Sequence, residues 1–367
     1  MMNNIYFFIG TEAELIKIFP VVIEVQKAGV CCNIIASGQN DITVSRIFEN
    51  IRIDGKFLEL SKESDIKKTA IGLFRWFIST YLKSKKMIID EMDENELAGR
   101  PLVVHGDTVS TYMGAMIGRK LRMKVCHVEA GLRSHNIFNP FPEEIDRLLT
   151  SKIARLHFAP GNAATQNLSK AKGEVINTRA NTLMDSLRYS RTIPLINSEV
   201  KKIVSGEEFF VFVMHRQENL ADSKFVRMVF EEIVNASKTR RSVIILHAIT
   251  KNTLMNLGLL DELDNNQNIV LLPRVDYFDF MKLLEASQFV ITDGGSNQEE
   301  LFYMNKPCLI MRRTTERSEG LGINARLFNG KPSDIGNFIQ SMNCMPESRI
   351  TNEVSPSRII VDKLLAI

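Results

Sequence analysis

At 367 residues the chain is too long for one ordinary core and suits two domains, each large enough to bury most of its apolar surface. With 44% hydrophobic and 24% charged residues it sits at average globular usage, which excludes a disordered or fibrous chain. Lys and Arg number 46 against 43 Asp and Glu, and a net charge of only +3 argues against a protein devoted to wrapping nucleic acid.

The chain opens with Asn3 and Asn4 before the apolar run 5–9, with no basic flank or small-residue cleavage site, so this run reads as a strand and not a signal peptide. No run approaches transmembrane length, so no integral membrane segment is expected. Short runs rich in Val, Ile and Phe recur at 33–36, 102–105, 124–128 and 156–159, alternating with longer amphipathic stretches. That order predicts a parallel sheet covered by helices on both faces. One such stretch, 67–86, carries Phe74, Trp76, Phe77, Tyr81 and several lysines. It reads either as a core-facing helix with a basic exterior or as a surface suited to a lipid-linked acceptor. The pattern restarts near residue 205, with strands expected at 209–214, 243–247, 269–272, 289–292 and 308–311. The polar stretch 177–204 predicts the boundary, which gives domains 1–176 and 205–350 and a terminal helix in 351–367. The expected fold class is therefore α/β, with two Rossmann-like parallel-sheet domains facing a cleft. Five cysteines, odd in number and without a CxxC pair, indicate neither a disulfide framework nor a zinc site and point to a reducing cytoplasm.

In open α/β sheets ligands collect beyond the carboxyl ends of strands, so the loops after these runs are where chemistry is expected. Strand 102–105 is followed by Gly106-Asp107-Thr108, which reads either as a tight turn ordered by Asp107, with Thr108 capping the next helix, or as an acid at the site. After 124–128 comes Glu129-Ala130-Gly131-Leu132-Arg133, where Glu129 is either half of a structural Glu–Arg pair or a functional acid. Pro142-Glu143-Glu144-Ile145-Asp146-Arg147 reads as a helix start with Pro142 at its first position, and a spacing of four puts Glu143 and Arg147 on one face. In the second half, 209–214 ends at His215-Arg216, a pair suited to an anionic ligand. Strand 289–292 runs into Asp293-Gly294-Gly295-Ser296 and then a helix carrying Glu300. Such a turn lets backbone approach phosphate while the helix N-terminus supplies N–H groups and positive dipole. Arg312 and Arg313 add cations after the last strand, unless they form a solvated loop.

In this order the segments resemble the non-hydrolysing UDP-N-acetylglucosamine 2-epimerase family, whose fold is that of the GT-B glycosyltransferases. The resemblance spans nearly the whole chain. Its most specific pieces are His127-Val128-Glu129-Ala130-Gly131-Leu132-Arg133, Pro142-Glu143-Glu144 with Arg147, and Thr314-Thr315-Glu316-Arg317. It implies that Asp107, Glu129 and Glu143 are the acid–base residues, aided by Lys17, Arg147 and His215. It further implies that Gly294, Gly295 and Ser296 hold the diphosphate with Arg216 and Arg313, Glu300 the ribose, and backbone near Phe280 the uracil. The implied partners are a UDP-sugar and a second copy of the chain in a homodimer. Three departures stand out. Gly10-Thr11-Glu12-Ala13-Glu14 replaces the family's Gly-Thr-Arg-Pro-Glu, Gly294-Gly295-Ser296 replaces Ser-Gly-Gly, and His247-Ala248-Ile249-Thr250 replaces His-Pro-x-Asn.

The chemistry implied is anti elimination of UDP to a 2-acetamidoglucal and re-addition with C2 inverted. Two acid–base groups must then flank one carbon. No metal or cofactor is called for, since the acids are scattered and no Gly-x-Gly-x-x-Gly turn follows Ile9. A glycosyltransferase on the same scaffold and a hydrolysing epimerase are the alternatives.

Overall fold

Strand β1 (Ile5–Ile9) is buried along its whole length, as an all-apolar run must be when helices cover both faces of its sheet. The computed structural model describes residues 4–66, 69–137, 141–312, 315, 319–331, 333–341 and 353–367. The chain divides into two compact units, Met1–Tyr189 with Asn352–Ile367, and Ser190–Thr351.

The first unit contains β1, β2 (Cys32–Ala36), β3 (Phe57–Glu59), β4 (Pro101–His105), β5 (Lys124–Val128), β6 (Leu156–Ala159) and β7 (Glu174–Asn177). They form one parallel sheet in the order β3-β2-β1-β4-β5-β6-β7. On one face Tyr6, Phe8, Leu102, Val104 and Val125 pack with Trp76, Met113 and Ile117 into a core. The second unit contains β8 (Phe209–Val213), β9 (Arg241–Leu246), β10 (Ile269–Pro273), β11 (Val290–Thr292), β12 (Cys308–Ile310) and β13 (Ala325–Leu327). These are parallel too, in the order β10-β9-β8-β11-β12-β13, and Phe210, Phe212, Phe230, Phe289 and Ile291 anchor their core.

The expected fold class of two parallel-sheet α/β domains is therefore what the chain adopts. Ten strands lie where their apolar runs predict them, within two residues. The three that were not expected, β3, β7 and β13, are all edge strands, half open to solvent. An edge strand has no need of the continuous apolar run that betrays a central one. The polar stretch 177–204 carries two helices, Leu183–Thr192 and Ser198–Val204, and the units divide between Tyr189 and Ser190. The terminal helix, Pro356–Leu365, belongs to the first unit, where Ile360, Val361 and Leu364 are buried and Asp185 Oδ2 accepts from the Ser357 amide at 2.8 Å.

The helix expected over 67–86 runs Ala70–Glu91. Trp76, Thr80, Ser84 and Ile88 face the core, as the core-facing reading requires. Its outer face is not simply basic, however: Ile71, Phe74, Ile78 and Leu82 form an exposed apolar stripe. Among the described residues no helix is long and apolar enough to cross a membrane.

Candidate active site

In each sheet the chain reverses its order of strand addition once, between β1 and β4 in the first unit and between β8 and β11 in the second. Such switch points splay the loops apart and open a crevice beyond the strand ends. Asp107 follows β4, and His215 and Gly294 follow β8 and β11, so these singled-out residues stand at the two switch points.

In the first unit β4 leads through Gly106 to Asp107, and Thr108 caps the helix Val109–Lys120. Gly106 adopts φ +72°, a conformation open to glycine, and its carbonyl accepts from His127 Nε2 at 2.7 Å. Burial lowers the His127 pKa to about 3, so the ring is neutral and Nε2 carries the proton that this bond needs. The His127 side chain therefore fixes the turn that carries Asp107. Beyond β5, Glu129 is itself held at φ +63°, a left-handed conformation uncommon for a residue with a side chain. Its buried carboxylate meets Lys17 Nζ at 2.5 Å, accepts from Asn181 Nδ2, and lies 3.6 Å from His105 Nε2. Lys17 is brought there by the helix Glu12–Lys27 that follows β1, whose start is locked by a capping box between Thr11 and Glu14.

The helix Glu143–Ile153 supplies the other carboxylates, with Pro142 at its cap and not at its first position. Arg147 pairs with Asp107 and lies 3.5 Å from Glu144, so its partners differ from the Glu143 that spacing suggested. Arg133 likewise pairs with Glu144, not with Glu129. Burial acts to raise the Glu144 carboxyl, but Arg133, the Ser134 amide and Arg147 outweigh it and hold it below the usual range. Glu144 is thus a structural clamp that no periodicity argument singled out. Asp146 was also missed. It is 7% exposed, and among the described residues its Oδ2 has no hydrogen-bond partner, a state it shares with Glu143 Oε2. Burial, then the charges of Asp107 and Glu143, push Asp146 up to about 7. At pH 7 Asp146 therefore keeps its proton in about half of the molecules.

In the second unit the fully buried Asp293, one residue past β11, organises the loop after β8. It accepts the amides of His215 and Arg216 at 3.1 and 2.9 Å and the Asn219 side chain at 3.0 Å, and lies 3.3 Å from His215 Nδ1. Arg216 Nε donates to the Asp293 carbonyl at 2.8 Å. His215 stacks on His247 with ring centroids 4.5 Å apart. Burial, aided by His215 and Arg274, lowers His247 to about 4, so it stays neutral beside its neighbour. Both Asp293 and His247 had gone without a role.

Next comes the helix Gly295–Met304, with Gly294 at its cap and no side-chain cap bond among the described residues. A Cβ at Gly294 would stand 2.5 Å from Asn297 Oδ1, so a side chain there would have to displace the Asn297 amide. Gly295, half-buried, and Ser296, exposed, lie in this first turn and leave the uncapped N–H end open to an anion. Glu300 is buried one turn further and accepts from Asn297 Nδ2 at 2.9 Å. Phe280 sits inside the helix Tyr277–Ala286, its amide engaged with the Asp276 carbonyl at 2.9 Å. Arg313, and all of the Thr314-Thr315-Glu316-Arg317 motif except Thr315, lie outside the described residues. Thr315 Oγ1 donates to Gln298 at 3.0 Å.

A family model described as UDP-N-acetylglucosamine 2-epimerase matches residues 24–355. A UDP-N-acetylglucosamine 2-epimerase of Methanococcus maripaludis is 32% identical over 361 residues, covering 93% of this chain and 92% of its own. One from Methanocaldococcus jannaschii is 30% identical over 333 residues, covering 88% of this chain and 87% of its own. The solved structure of the Methanocaldococcus jannaschii UDP-GlcNAc 2-epimerase in complex with UDP-GlcNAc and UDP shares the fold, with a TM-score of 0.78, 24% identity, and coverage of 99% of this chain and 100% of that one.

Proposed function

Because the chain belongs to the UDP-N-acetylglucosamine 2-epimerase family, an isomerase family of GT-B fold, we propose that it inverts C2 of UDP-N-acetylglucosamine to give UDP-N-acetylmannosamine. The observation that carries this reading is the set of carboxylates Asp107, Glu129, Glu143 and Asp146 at the ends of β4 and β5 and on one helix turn. A transferase that only breaks the anomeric bond has no use for so many acids.

The C2 proton of a sugar has no adjacent carbonyl to acidify it, so its removal must be coupled to loss of a leaving group. One carboxylate takes the C2 proton as the C1–O bond to UDP breaks, which leaves a 2-acetamidoglucal. UDP oxygen then re-adds at C1 while a second acid delivers a proton to the other face of C2. This needs one ionised and one protonated carboxyl at the same pH. Asp107, paired with Arg147, suits the ionised role, and the proton stored by Asp146 beside Glu143 suits the other. Lys17 and Asn181 fix Glu129 in its left-handed conformation, where its carboxylate lies 3.9 Å from the position of a Cβ on Gly106. His215, Arg216 and the uncapped helix N-terminus at Gly294, Gly295 and Ser296 receive the departing diphosphate. One such preorganised donor is typically worth ~3–4 kcal/mol of barrier. Glu300 takes the ribose, and backbone near Phe280 the uracil. The product serves surface-polysaccharide synthesis in the cytoplasm, made by a homodimer that returns UDP to the sugar and does not release it.

The test is incubation with UDP-N-acetylglucosamine in D2O followed by NMR. Each turnover exchanges the C2 proton, so recovered UDP-sugar carries deuterium at C2 in both epimers. Protein that binds UDP-N-acetylglucosamine yet yields neither deuterium at C2 nor the epimer would overturn the proposal and leave a transferase.

A further inference from the structure

A groove in the first unit, between the helix Glu143–Ile153 and the segment 167–172, shares Arg133 and Arg147 with the residues given a role above. It encloses about 530 Å³. Five cations line it, Arg133, Arg147, Lys152, Lys170 and Lys172, and no carboxylate does among the described residues. Arg133 and Arg147 are balanced by Glu144 and Asp107. Lys152, Lys170 and Lys172 enter no ion pair among the described residues. Three uncompensated ammonium groups on one small cavity repel each other and focus a positive potential into it.

Leu148 and Leu168 give the same groove an apolar wall. Its geometry is set by the backbone, for Asn167 Nδ2 donates to the Gly131 carbonyl at 2.9 Å, and Gly131 stands at φ +84° with no room for a Cβ against the Ala164 carbonyl. Volumes of ~300–1,000 Å³ with a few convergent polar groups are those of small-ligand pockets. A single carboxylate would balance one of the three lysines. A diphosphate matches all three, and lysine is well suited to phosphate as a mobile point charge.

We propose that this groove is a second anion site, which binds a diphosphate-bearing small molecule such as a nucleoside diphosphate, with phosphates on Lys152, Lys170 and Lys172 and the apolar body against Leu148 and Leu168. It is lined by Arg147, Leu148, Ser151 and Lys152 of the helix that carries Glu143 and Asp146.

The test uses pyrophosphate as the probe. Wild-type protein saturated with UDP is titrated with pyrophosphate in a calorimeter at constant ionic strength, and one saturable site per chain is expected. The variant Lys152→Ala/Lys170→Ala/Lys172→Ala changes exposed side chains only, so it should keep its melting temperature and its C2 epimerisation while its pyrophosphate affinity falls at least ~10-fold. Absence of saturable heat from the wild type, or equal affinity in the variant, overturns the proposal. Failure of UDP to bind in the saturation step would count against the UDP-sugar reading alone. The pyrophosphate titration of wild type and variant would still be decided in the absence of UDP.

Discussion

Glu129 stands in a left-handed backbone conformation that a bulky side chain rarely adopts, and its carboxylate is held by a lysine 112 residues away in the chain. Strain of this kind, of order 1–3 kcal/mol, persists where surrounding structure imposes it, and it concentrates at functional sites. Replacing the acid while keeping the shape should therefore spare the fold and remove the chemistry. Asp107→Asn, Glu129→Gln and Glu143→Gln are each expected to slow C2 inversion at least ~100-fold, measured by NMR of UDP-N-acetylglucosamine turnover. UDP affinity should survive all three, because its proposed contacts lie in the second unit. Loss of UDP binding in step with activity would mean that these acids only hold the protein together.

Asp146 has a signature of its own. Its carboxyl is raised from 3.8 to about 7 in the folded chain, so between those values the folded state keeps a proton that the unfolded state releases. Its contribution to stability is thus fully present below about pH 4 and is lost as pH rises through about 7. Asp146→Asn removes that loss. Compared with wild type, the variant should gain stability, read as melting temperature, progressively between about pH 4 and pH 7 and no further above that, at up to ~1.4 kcal/mol per pH unit. Part of the slope will remain, because burial also raises Glu14 to about 7 against the hydrogen bonds from Thr108 and Gly10 that favour its charged form. A pH-independent difference between the two proteins would show that Asp146 is ionised throughout.

At the scale of the element, the helix Gly295–Met304 owes its expected ligand to what it lacks. No side chain caps it among the described residues, and the glycine at the cap position offers none. Glu300 sits one turn in, oriented by Asn297. A hydrogen bond to a charged group is worth ~1.5–3 kcal/mol, so Glu300→Ala should weaken UDP binding about tenfold or more by calorimetry. Unchanged affinity would take this residue out of the site.

The helix Ala70–Glu91 raises a different question, because Ile71, Phe74, Ile78 and Leu82 repeat at helical spacing on its solvent side. Phe74 and Leu82 each stand four residues from Ile78, so an antiparallel copy related by a two-fold axis at Ile78 would match one with the other. Such a pairing is how the proposed homodimer would bury this stripe. Sedimentation equilibrium should find a dimer for wild type and a monomer for Phe74→Glu/Leu82→Glu, and a wild-type monomer would discard it.

At the scale of the whole molecule, the last helix returns to the first unit after the chain has built the second. Ile360, Val361 and Leu364 are buried there, and full burial of such side chains stabilises by ~1.5–3 kcal/mol each. Deleting 353–367 should lower the melting temperature strongly and reduce turnover, since this helix packs on the helix Glu12–Lys27 that carries Lys17. A truncated chain with wild-type melting would show that the contact is dispensable.

The sequence by itself determined the class of fold and the loops that matter. Central parallel strands are buried on both faces and must be apolar throughout, so the nine among the described residues are legible, as is the edge strand β10, and the residues just past their ends can be named without coordinates. The edge strands β3, β7 and β13 were not legible, because one half-exposed side relaxes that demand. Partnership was decided only in three dimensions. Spacing of four linked Glu143 to Arg147, and a shared motif offered Arg133 as a partner for Glu129, whereas folding gave Arg147 to Asp107 and Glu144, Arg133 to Glu144, and Glu129 to Lys17. Local periodicity states which side chains share a helix face. Which buried charges neutralise each other depends on the sheet that brings distant loops together, and that left Asp146 beside two carboxylates with a proton to keep.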